Sequence, residues 1–192
     1  KRQHIQNQAA FLTFLTAGFP AKDDTPELLM ALERGGADVI ELGMPFSDPQ
    51  ADGPAIQESN RIALQQGVDY AMCLKYIKEA RSRGLKVPVV LMGYYNPIMA
   101  YGEERAVHDA KSAGANGFIL VDLLPEEAGT FLNACRREKM AFVPLIAPTT
   151  DVNRIRYLSS LADAFIYVVS RLGTTGVSAS VSSSLDELMS RI

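Results

Sequence analysis

The sequence has few of the side chains that build a metal centre or a disulfide framework. Its 192 residues include two cysteines and two histidines. Cys73 and Cys135 both lie in helical patterns without a CxxC partner, so we expect two free, buried thiols rather than a disulfide or a metal site. His4 and His108 are too few for a histidine-rich centre. The sequence therefore predicts no metal site.

Charge and hydrophobic runs exclude further classes of protein. The formal net charge of −3 and the pI near 5.4 indicate neither a basic patch for nucleic acid nor a polybasic membrane signal. No apolar run approaches the roughly 20 residues that span a bilayer, and the opening residues do not have the pattern of a signal peptide. With 47% hydrophobic residues the chain can bury a sizeable core. We therefore expect a cytoplasmic protein that binds neither nucleic acid nor membrane.

Short apolar runs alternate with helical patterns along the whole chain. The predicted strands cover residues 10–18, 38–42, 87–92, 117–121, 141–146 and 164–169. The predicted helices cover residues 24–35, 56–64, 70–83, 103–113, 125–139, 151–161 and 185–192. Continuous apolar strands that alternate with helices predict a parallel sheet covered by helices.

Two folds fit this alternation, an open doubly wound sheet and a (β/α)8 barrel. An open nucleotide-binding sheet would favour a GxGxxG fingerprint after its first strand, and residues 16–20 do not supply one. Polar residues follow the carboxyl ends of many predicted strands, and in a barrel these ends converge on one mouth, where active sites lie. They are Thr16, Glu41, Asp52, Tyr94, Asn96, Asp122, Ser170, Thr174 and Thr175. We therefore predict one α/β domain of the (β/α)8-barrel type over residues 1–192.

Glu41 is the most unusual of these positions. It ends an apolar strand and precedes a loop with three prolines and two more acids. A carboxylate taken out of water costs several kcal/mol unless a partner satisfies it. Glu41 is therefore either a structural carboxylate that braces the loop or a group that carries a proton, and the residues alone leave both roles open.

Several motifs resemble one family closely. Residues 41–57, ELGMPFSDPQADGPAIQ, resemble the signature of the tryptophan synthase α subunit. Agreement continues through residues 91–97, 114–117, 121–127 and 170–176. The segments look closest to the bifunctional form, in which α and β parts are fused in one chain.

The resemblance implies a lyase of tryptophan biosynthesis. Its reaction is the retro-aldol cleavage of indole-3-glycerol phosphate to indole and glyceraldehyde 3-phosphate. Two separated carboxylates suit the required proton transfers. The resemblance gives Glu41 the acid–base role at indole C3 and at the side-chain hydroxyl, and gives Asp52 the role of accepting the indole N–H. It places Tyr167 in a hydrogen bond near the catalytic acid, with an ordinary barrel-layer aromatic as the alternative.

The same resemblance implies four substrate-binding residues. Phe14 and Tyr94 look like walls of the indole pocket, although core packing alone could place aromatic side chains there. Thr175 lies in a loop that resembles the family's mobile lid, with Gly176 as a hinge and as part of the phosphate site. The alternative is an ordinary surface loop.

The partner implied by the resemblance is a tryptophan synthase β subunit or a fused β domain. Pro45, Asp48 and Asp122 lie in loops that resemble the surfaces facing that partner. The family usually has two prolines after the Asp-Leu pair, whereas this chain has Leu124-Pro125, which frees the backbone there. No lysine lies in a recognisable cofactor setting, so we expect no cofactor in this chain and pyridoxal phosphate only in the β partner.

The number of β–α units limits the expected activity. A (β/α)8 barrel typically needs about 250 residues, and six units are recognisable. We therefore expect strands 7 and 8, with most of the phosphate site, to be absent, and the chain alone to be weakly active or inactive. One alternative is a non-catalytic α-like module that modulates a β subunit. Another is a different phosphate-sugar barrel such as an epimerase, for whose metal-binding histidines His4 and His108 are poorly placed.

Overall fold

Parallel strands and helices alternate along the chain in the computed structural model, which describes residues 9–169 and 184–191. The elements up to the third strand are β1 (Leu12–Thr16), α1 (Thr25–Arg34), β2 (Val39–Gly43), α2 (Pro54–Gln65), α3 (Tyr70–Ser82) and β3 (Val89–Gly93). The later elements are α4 (Tyr95–Tyr101), α5 (Glu103–Ala113), β4 (Gly117–Leu120), α6 (Gly129–Glu138), β5 (Ala141–Phe142), β6 (Leu145–Ile146), α7 (Val152–Leu161), β7 (Tyr167–Val168) and α8 (Ser184–Arg191). The predicted alternation is therefore confirmed.

Five strands form one parallel sheet in the order β1-β2-β3-β4-β5, and β6 pairs with β7 in a second parallel sheet. The single strand predicted over residues 141–146 is wrong, because β5 pairs with β4 and β6 pairs with β7. Pro144 lies at the break and has no N–H to donate to a ladder. Its carbonyl accepts from Tyr167 N, whereas Val143 N donates to Phe118 O.

The register separates an inner face of the strands from a face covered by helices. Phe14 pairs with Glu41, and Glu41 pairs with Val90. These three side chains share the inner face, since side chains at paired positions point to the same side. One inner cluster of apolar and aromatic side chains includes Val39, Val90, Met92, Ile119, Val143, Leu145, Phe165 and Tyr167. Because β7 contributes to the same cluster as β2 and β3, the two sheets curve around one interior.

The opposite face of the strands packs against the helices in a larger core. Ile40, Leu42 and Leu91 are completely buried there, and each such side chain contributes about 1.5–3 kcal/mol through burial. This core holds the strands rigidly. Because this core stabilises the strands, polar side chains such as Glu41 can be accommodated on their inner face.

Two side chains hold the beginning of β3 in place. The Glu33 carboxylate accepts from Lys86 N at 2.8 Å and from Val87 N at 2.9 Å. Asn116 Oδ1 accepts from Val89 N at 2.9 Å. These bonds satisfy backbone donors that would otherwise have no partner at the strand start, and they position the strand that leads into the candidate site.

Helix α4 is not predicted by the sequence pattern. It begins directly after β3, and Asp122 Oδ1 accepts from its first N–H, that of Tyr95, at 2.7 Å. Pro97 lies in the first turn, where N–H groups have no partner within the helix. The Asn96-Pro97 pair therefore belongs to a helix start rather than to a loop.

Two predicted helix starts also differ from the structure. The helix predicted from residue 125 begins at Gly129, because the preceding residues form a turn in which Ala128 N donates to Pro125 O. The helix predicted from residue 24 begins at Thr25, and the carboxylate of Asp24 at the N-cap position accepts from Ala21 N rather than from the first turn of the helix.

The two cysteines are free and buried, as predicted, in α3 and α6. Burial raises the pKa of the Cys135 thiol to about 12 and raises that of Cys73 as well. Within residues 9–169 and 184–191, no three side chains of the metal-binding types come together as ligands. In the same ranges no helix has the length and apolar character needed to cross a membrane.

Candidate active site

Glu41 is the third of the five residues of β2, and its side chain is on the inner face. The prediction placed it near the end of a strand, whereas the structure surrounds it with paired strands on both sides. It is 5% exposed, and burial raises the pKa of its carboxyl group. Among the side chains that the structure describes, none donates a hydrogen bond to this carboxylate or forms an ion pair with it. Such a group can hold a proton at a pH where an exposed glutamate has lost it.

An aromatic residue is the partner of Glu41 on the neighbouring strand β1. Phe14 is directly opposite Glu41 in the register and is 39% exposed. Its ring lies across Gly43, where an added Cβ would be 2.6 Å from the Phe14 Cζ atom. Gly43 thus leaves room for the ring, a role that the sequence analysis missed. The available signal was a glycine two residues after Glu41, on the same face of the strand.

Asp52 lies in the loop between β2 and α2 and is half-buried. The Tyr94 hydroxyl donates to Asp52 Oδ2 at 3.2 Å, and it accepts from Ala51 N at 2.8 Å. Burial raises the pKa of the Asp52 carboxyl group, and the hydrogen bond from Tyr94 partly opposes this increase. The prediction treated Tyr94 only as a pocket wall, so the structure adds a polar contact to that residue.

Tyr167 lies in β7, within the inner cluster. Its pKa is raised by burial, then by the negative charges of Glu41 and Asp52. The charges of both carboxylates therefore act on this one phenol. The structure thus places the three residues that were predicted to be catalytic on β2, on the loop that follows β2 and on β7, and Tyr167 lies 115 positions after Asp52 in the sequence.

The predicted partner-facing residues have different environments. Pro45 is buried, while Asp48 is exposed and accepts from its neighbour Ser47 Oγ at 2.6 Å. Asp122 is exposed and, as noted above, bound to the first N–H of α4. The carboxyl ends of β2 and β4 lie at the same edge of the parallel sheet, so the Asp48 and Asp122 loops share this end of the molecule.

Four predicted residues lie outside the part of the chain that the structure describes. They are Ser170, Thr174, Thr175 and Gly176. Their predicted roles as lid and substrate contacts stay predictions.

Comparison with known sequences identifies one family. The model of the tryptophan synthase alpha chain family matches residues 1–192. A tryptophan synthase of Saccharomyces cerevisiae is 55% identical over 187 residues, which are 97% of this chain and 26% of the yeast protein. The tryptophan synthase alpha chain of Geotalea uraniireducens is 49% identical over 176 residues, 92% of this chain and 66% of that protein. The chain thus spans just under two thirds of this alpha chain and about a quarter of the yeast protein.

Comparison with solved structures supports the same conclusion. A structure of Mycobacterium tuberculosis tryptophan synthase has a TM-score of 0.91 and 32% identity, covering 99% of this chain and 72% of that chain. The tryptophan synthase subunit alpha of Legionella pneumophila has a TM-score of 0.84 and 36% identity, covering 88% and 64%. These neighbours have the (β/α)8-barrel fold, so the predicted fold class is confirmed. The chain belongs to the tryptophan synthase alpha chain family.

Proposed function

We propose that the chain carries the acid–base groups of a carbon–carbon lyase that cleaves indole-3-glycerol phosphate to indole and glyceraldehyde 3-phosphate. The observation that carries this proposal is the buried Glu41 carboxyl group, whose raised pKa has no cation to oppose it among the described residues. Phe14 offers a flat apolar surface beside it. Asp52 provides a second carboxylate that acts on the same tyrosine, Tyr167.

In the proposed mechanism Glu41 performs two proton transfers. Its protonated form gives a proton to C3 of the indole, which places a positive charge on the ring nitrogen. The resulting carboxylate then takes the proton of the glycerol hydroxyl. As that oxygen becomes the aldehyde, the bond between C3 and the side chain breaks, and its electron pair restores the ring double bond. Glu41 ends protonated, as it began, which suits a group whose pKa lies closer to the working pH than usual.

Asp52 has a different role in this mechanism. As an ionised carboxylate it accepts the hydrogen bond of the indole N–H, and it stabilises the positive charge that develops when C3 is protonated. The Tyr167 phenol, on which the charge of Glu41 acts, makes no hydrogen bond to Glu41 in this structure, and in the proposed mechanism it orients Glu41 when substrate is bound. Phe14 and the Tyr94 ring line the indole site, and Thr175 and Gly176 act in the lid and at the phosphate.

The direct test is release of indole from indole-3-glycerol phosphate by Glu41→Gln, made in a version of the chain that is extended with the alpha region of the 55% identical yeast relative that this chain does not span. General acid–base catalysis contributes about 100- to 10,000-fold, so we expect kcat to fall by about 1,000-fold. Glu27→Gln is the matched control, because it makes the same chemical change at an exposed ion pair with Arg34 on α1. Equal rates for Glu41→Gln and the unmodified protein would contradict the catalytic role.

A second part of the proposal concerns the length of the relatives. We propose that residues 1–192 belong to one barrel domain, and that the segments of the relatives not spanned by this chain supply most of the grip on phosphate. The chain alone should then release indole very slowly. An extended version, which adds the missing alpha region of the 55% identical yeast relative, should be active. Comparable rates for the two proteins would show that the added segments are not required.

We further propose that the loops containing Pro45, Asp48 and Asp122 bind a tryptophan synthase beta subunit or a fused beta domain, which would hold the pyridoxal phosphate. Two observations support this surface. The two aspartates are exposed, and an open cleft of about 640 Å³ lies between α2 and the loop that contains Asp48, lined on the loop side by Phe46, Ser47 and Pro49.

This surface also favours a second candidate function, a module that modulates the beta subunit without catalysis. The two functions are separated by measuring how beta-subunit turnover of indole and serine responds to the Glu41→Gln chain. If the unmodified chain releases indole, and Glu41→Gln loses this activity but still activates the beta subunit fully, the chain has both roles. If the unmodified chain releases no indole and Glu41→Gln still activates the beta subunit, the binding module is favoured.

A further inference from the structure

Tyr94 connects the two ends of the loop that carries Asp52. It directly follows β3, and 6% of its surface is exposed. Its ring stacks on Phe46 near the start of the loop, with centroids 5.1 Å apart and an angle of 30° between the rings. Its hydroxyl reaches Ala51 N and Asp52 Oδ2 near the end of the loop. The loop is therefore folded around this side chain.

The direction of the two hydroxyl hydrogen bonds is determined by the donors available. Ala51 N can only donate, so the Tyr94 oxygen accepts that bond at 2.8 Å. The single phenol proton is then available for the Asp52 carboxylate at 3.2 Å. Burial raises the pKa of Tyr94 itself to about 12, so the phenol keeps this proton throughout the neutral range.

We infer that Tyr94 is a positioning residue for Asp52: its phenol, held between Phe46 and Ala51, binds Oδ2 and fixes the orientation of the carboxylate, which leaves Oδ1 to accept from the substrate. This inference rests on the proposed role of Asp52 at the indole N–H. A protonated aspartate could not receive the indole N–H as strongly, because a charged acceptor forms the stronger hydrogen bond. Without the phenol, burial alone would shift Asp52 toward its neutral form.

Other charged and titratable groups near this contact are few. The negative charges of Asp52 and of Glu41 both act on Tyr167, which lies on β7. Asp122 acts on Tyr94 from the loop after β4. None of the described lysines or arginines shifts Asp52. Among these groups the Tyr94 phenol is the one that favours the ionised form of Asp52.

The first test measures Asp52 directly, by carboxyl ¹³C NMR titration of the unmodified chain and Tyr94→Phe. The substitution keeps the ring and its stacking on Phe46, so the fold should be retained. We expect the pKa of Asp52 to rise in Tyr94→Phe while Glu41 titrates as before. The control is Tyr95→Phe, which removes the neighbouring phenol that bonds to Glu103, and it should leave Asp52 unchanged. An unaltered Asp52 titration in Tyr94→Phe would overturn the inference.

The second test measures catalysis in the extended version of the protein. Tyr94→Phe should lower kcat/KM about ten-fold at neutral pH, the usual effect of losing a hydrogen bond to a charged group, and should move the acidic limb of the pH–rate profile upward. In an Asp52→Asn background the same substitution should cause no further loss, since Tyr94 acts through Asp52. Multiplying losses in the double variant would overturn the inference.

The outcomes also separate this inference from the proposed function. If Asp52→Asn retains full indole release, the role of Asp52 in the proposed function is wrong. If Asp52→Asn is impaired while Tyr94→Phe has an unchanged pH profile, the proposed function stands and the positioning role of Tyr94 is wrong.

Discussion

At the scale of one residue, Glu41 shows that a side chain suited to catalysis can lower the stability of the folded protein. Its carboxyl group is buried in a strand without a compensating cation among the described residues, and a buried charge without a partner is costly. The folded protein therefore favours the protonated form. A residue with this property is unfavourable for folding and useful for proton transfer.

We predict that Glu41→Gln stabilises the protein at neutral pH. The folded-state pKa of Glu41 is raised above its ordinary value of 4.5, so the folded state binds this proton more tightly than the unfolded state. The free energy of unfolding consequently falls as the pH rises from about 4.5 through the folded pKa, and the full penalty is present above it. Removing the charge should add about 1 kcal/mol at pH 8, a usual gain when an active-site residue is replaced. It should add little at pH 4.

Thermal unfolding at pH 4 and pH 8 measures this difference. Glu27→Gln, at an exposed pair with Arg34, should show almost no gain at either pH. A Glu41→Gln protein that is less stable than the unmodified chain at pH 8 would contradict the prediction.

Gly43 supplies a second prediction at this scale. In Gly43→Ala the new methyl group meets the outer atoms of the Phe14 ring, and this half-exposed ring can move away. We expect a loss of less than about 1.5 kcal/mol in stability, the range of tolerated packing changes, together with a higher KM for indole-3-glycerol phosphate. Unchanged KM would show that the position of the Phe14 ring is not needed for binding.

At the scale of the elements, the register of neighbouring strands creates the site. Glu41 lies opposite Phe14 on one side and Val90 on the other, and Tyr94 follows β3 directly. Between β4 and β5, glycine is required for a different reason than at Gly43. A Cβ on Gly117 would lie 2.6 Å from the carbonyl oxygen of Ala141 on the adjacent strand.

We therefore predict that Gly117→Ala is much more damaging than Gly43→Ala. The clash is with backbone, which cannot rotate away as a side chain does, so β4 and β5 must separate. The expected loss is about 3 kcal/mol, measured by urea unfolding. Equal losses for the two glycine variants would show that the β4–β5 contact relaxes easily.

Asp122 tests the junction between β4 and α4. Asp122→Ala should cost about 1 kcal/mol, as the loss of a helix-capping side chain does, because Tyr95 N loses its acceptor. Asp122→Asn keeps an oxygen acceptor and should retain most of the stability. If Asp122→Asn weakens binding of a beta subunit although its stability is kept, the negative charge serves the partner. Equal destabilisation by both variants would contradict the bracing role.

At the scale of the whole molecule, one inner cluster joins the two sheets. Val143 is completely buried there, between β5 and β6, together with Val90 and Tyr167. The cluster therefore makes the five-stranded sheet and the β6–β7 pair depend on each other.

We predict that Val143→Ala costs about 2 kcal/mol, the usual effect of removing buried methyl groups. It should also reduce hydrogen-exchange protection in both sheets together. Val152→Ala, at a 39% exposed position on α7, is the matched control and should change little. Loss of protection confined to β6 and β7 would show that the two sheets unfold independently.

Most of the fold follows from local patterns. The periods of apolar residues predict where strands and helices alternate, because each element must bury one face. Residues 41–57 also lead to the proposed chemistry, but only through their resemblance to the family signature, because the residues alone leave the role of Glu41 open. What these patterns do not contain is α4 and the break at Pro144, which depend on an acceptor from Asp122 and on the separate partners of β5 and β6.

The details of the candidate site depend on contacts between distant segments. Tyr94 and Asp52 are 42 positions apart in the sequence, and no local pattern states that their side chains meet. The same holds for the phenol of Tyr167 and the two carboxylates that act on it. A local pattern indicates which residues are suited to burial and which to a turn, because it reflects backbone preference and hydrophobicity over a few residues. Burial and strand pairing are properties of the folded chain. They alone determine that Glu41 is buried without a cation among the described residues and that the Tyr94 phenol binds Asp52.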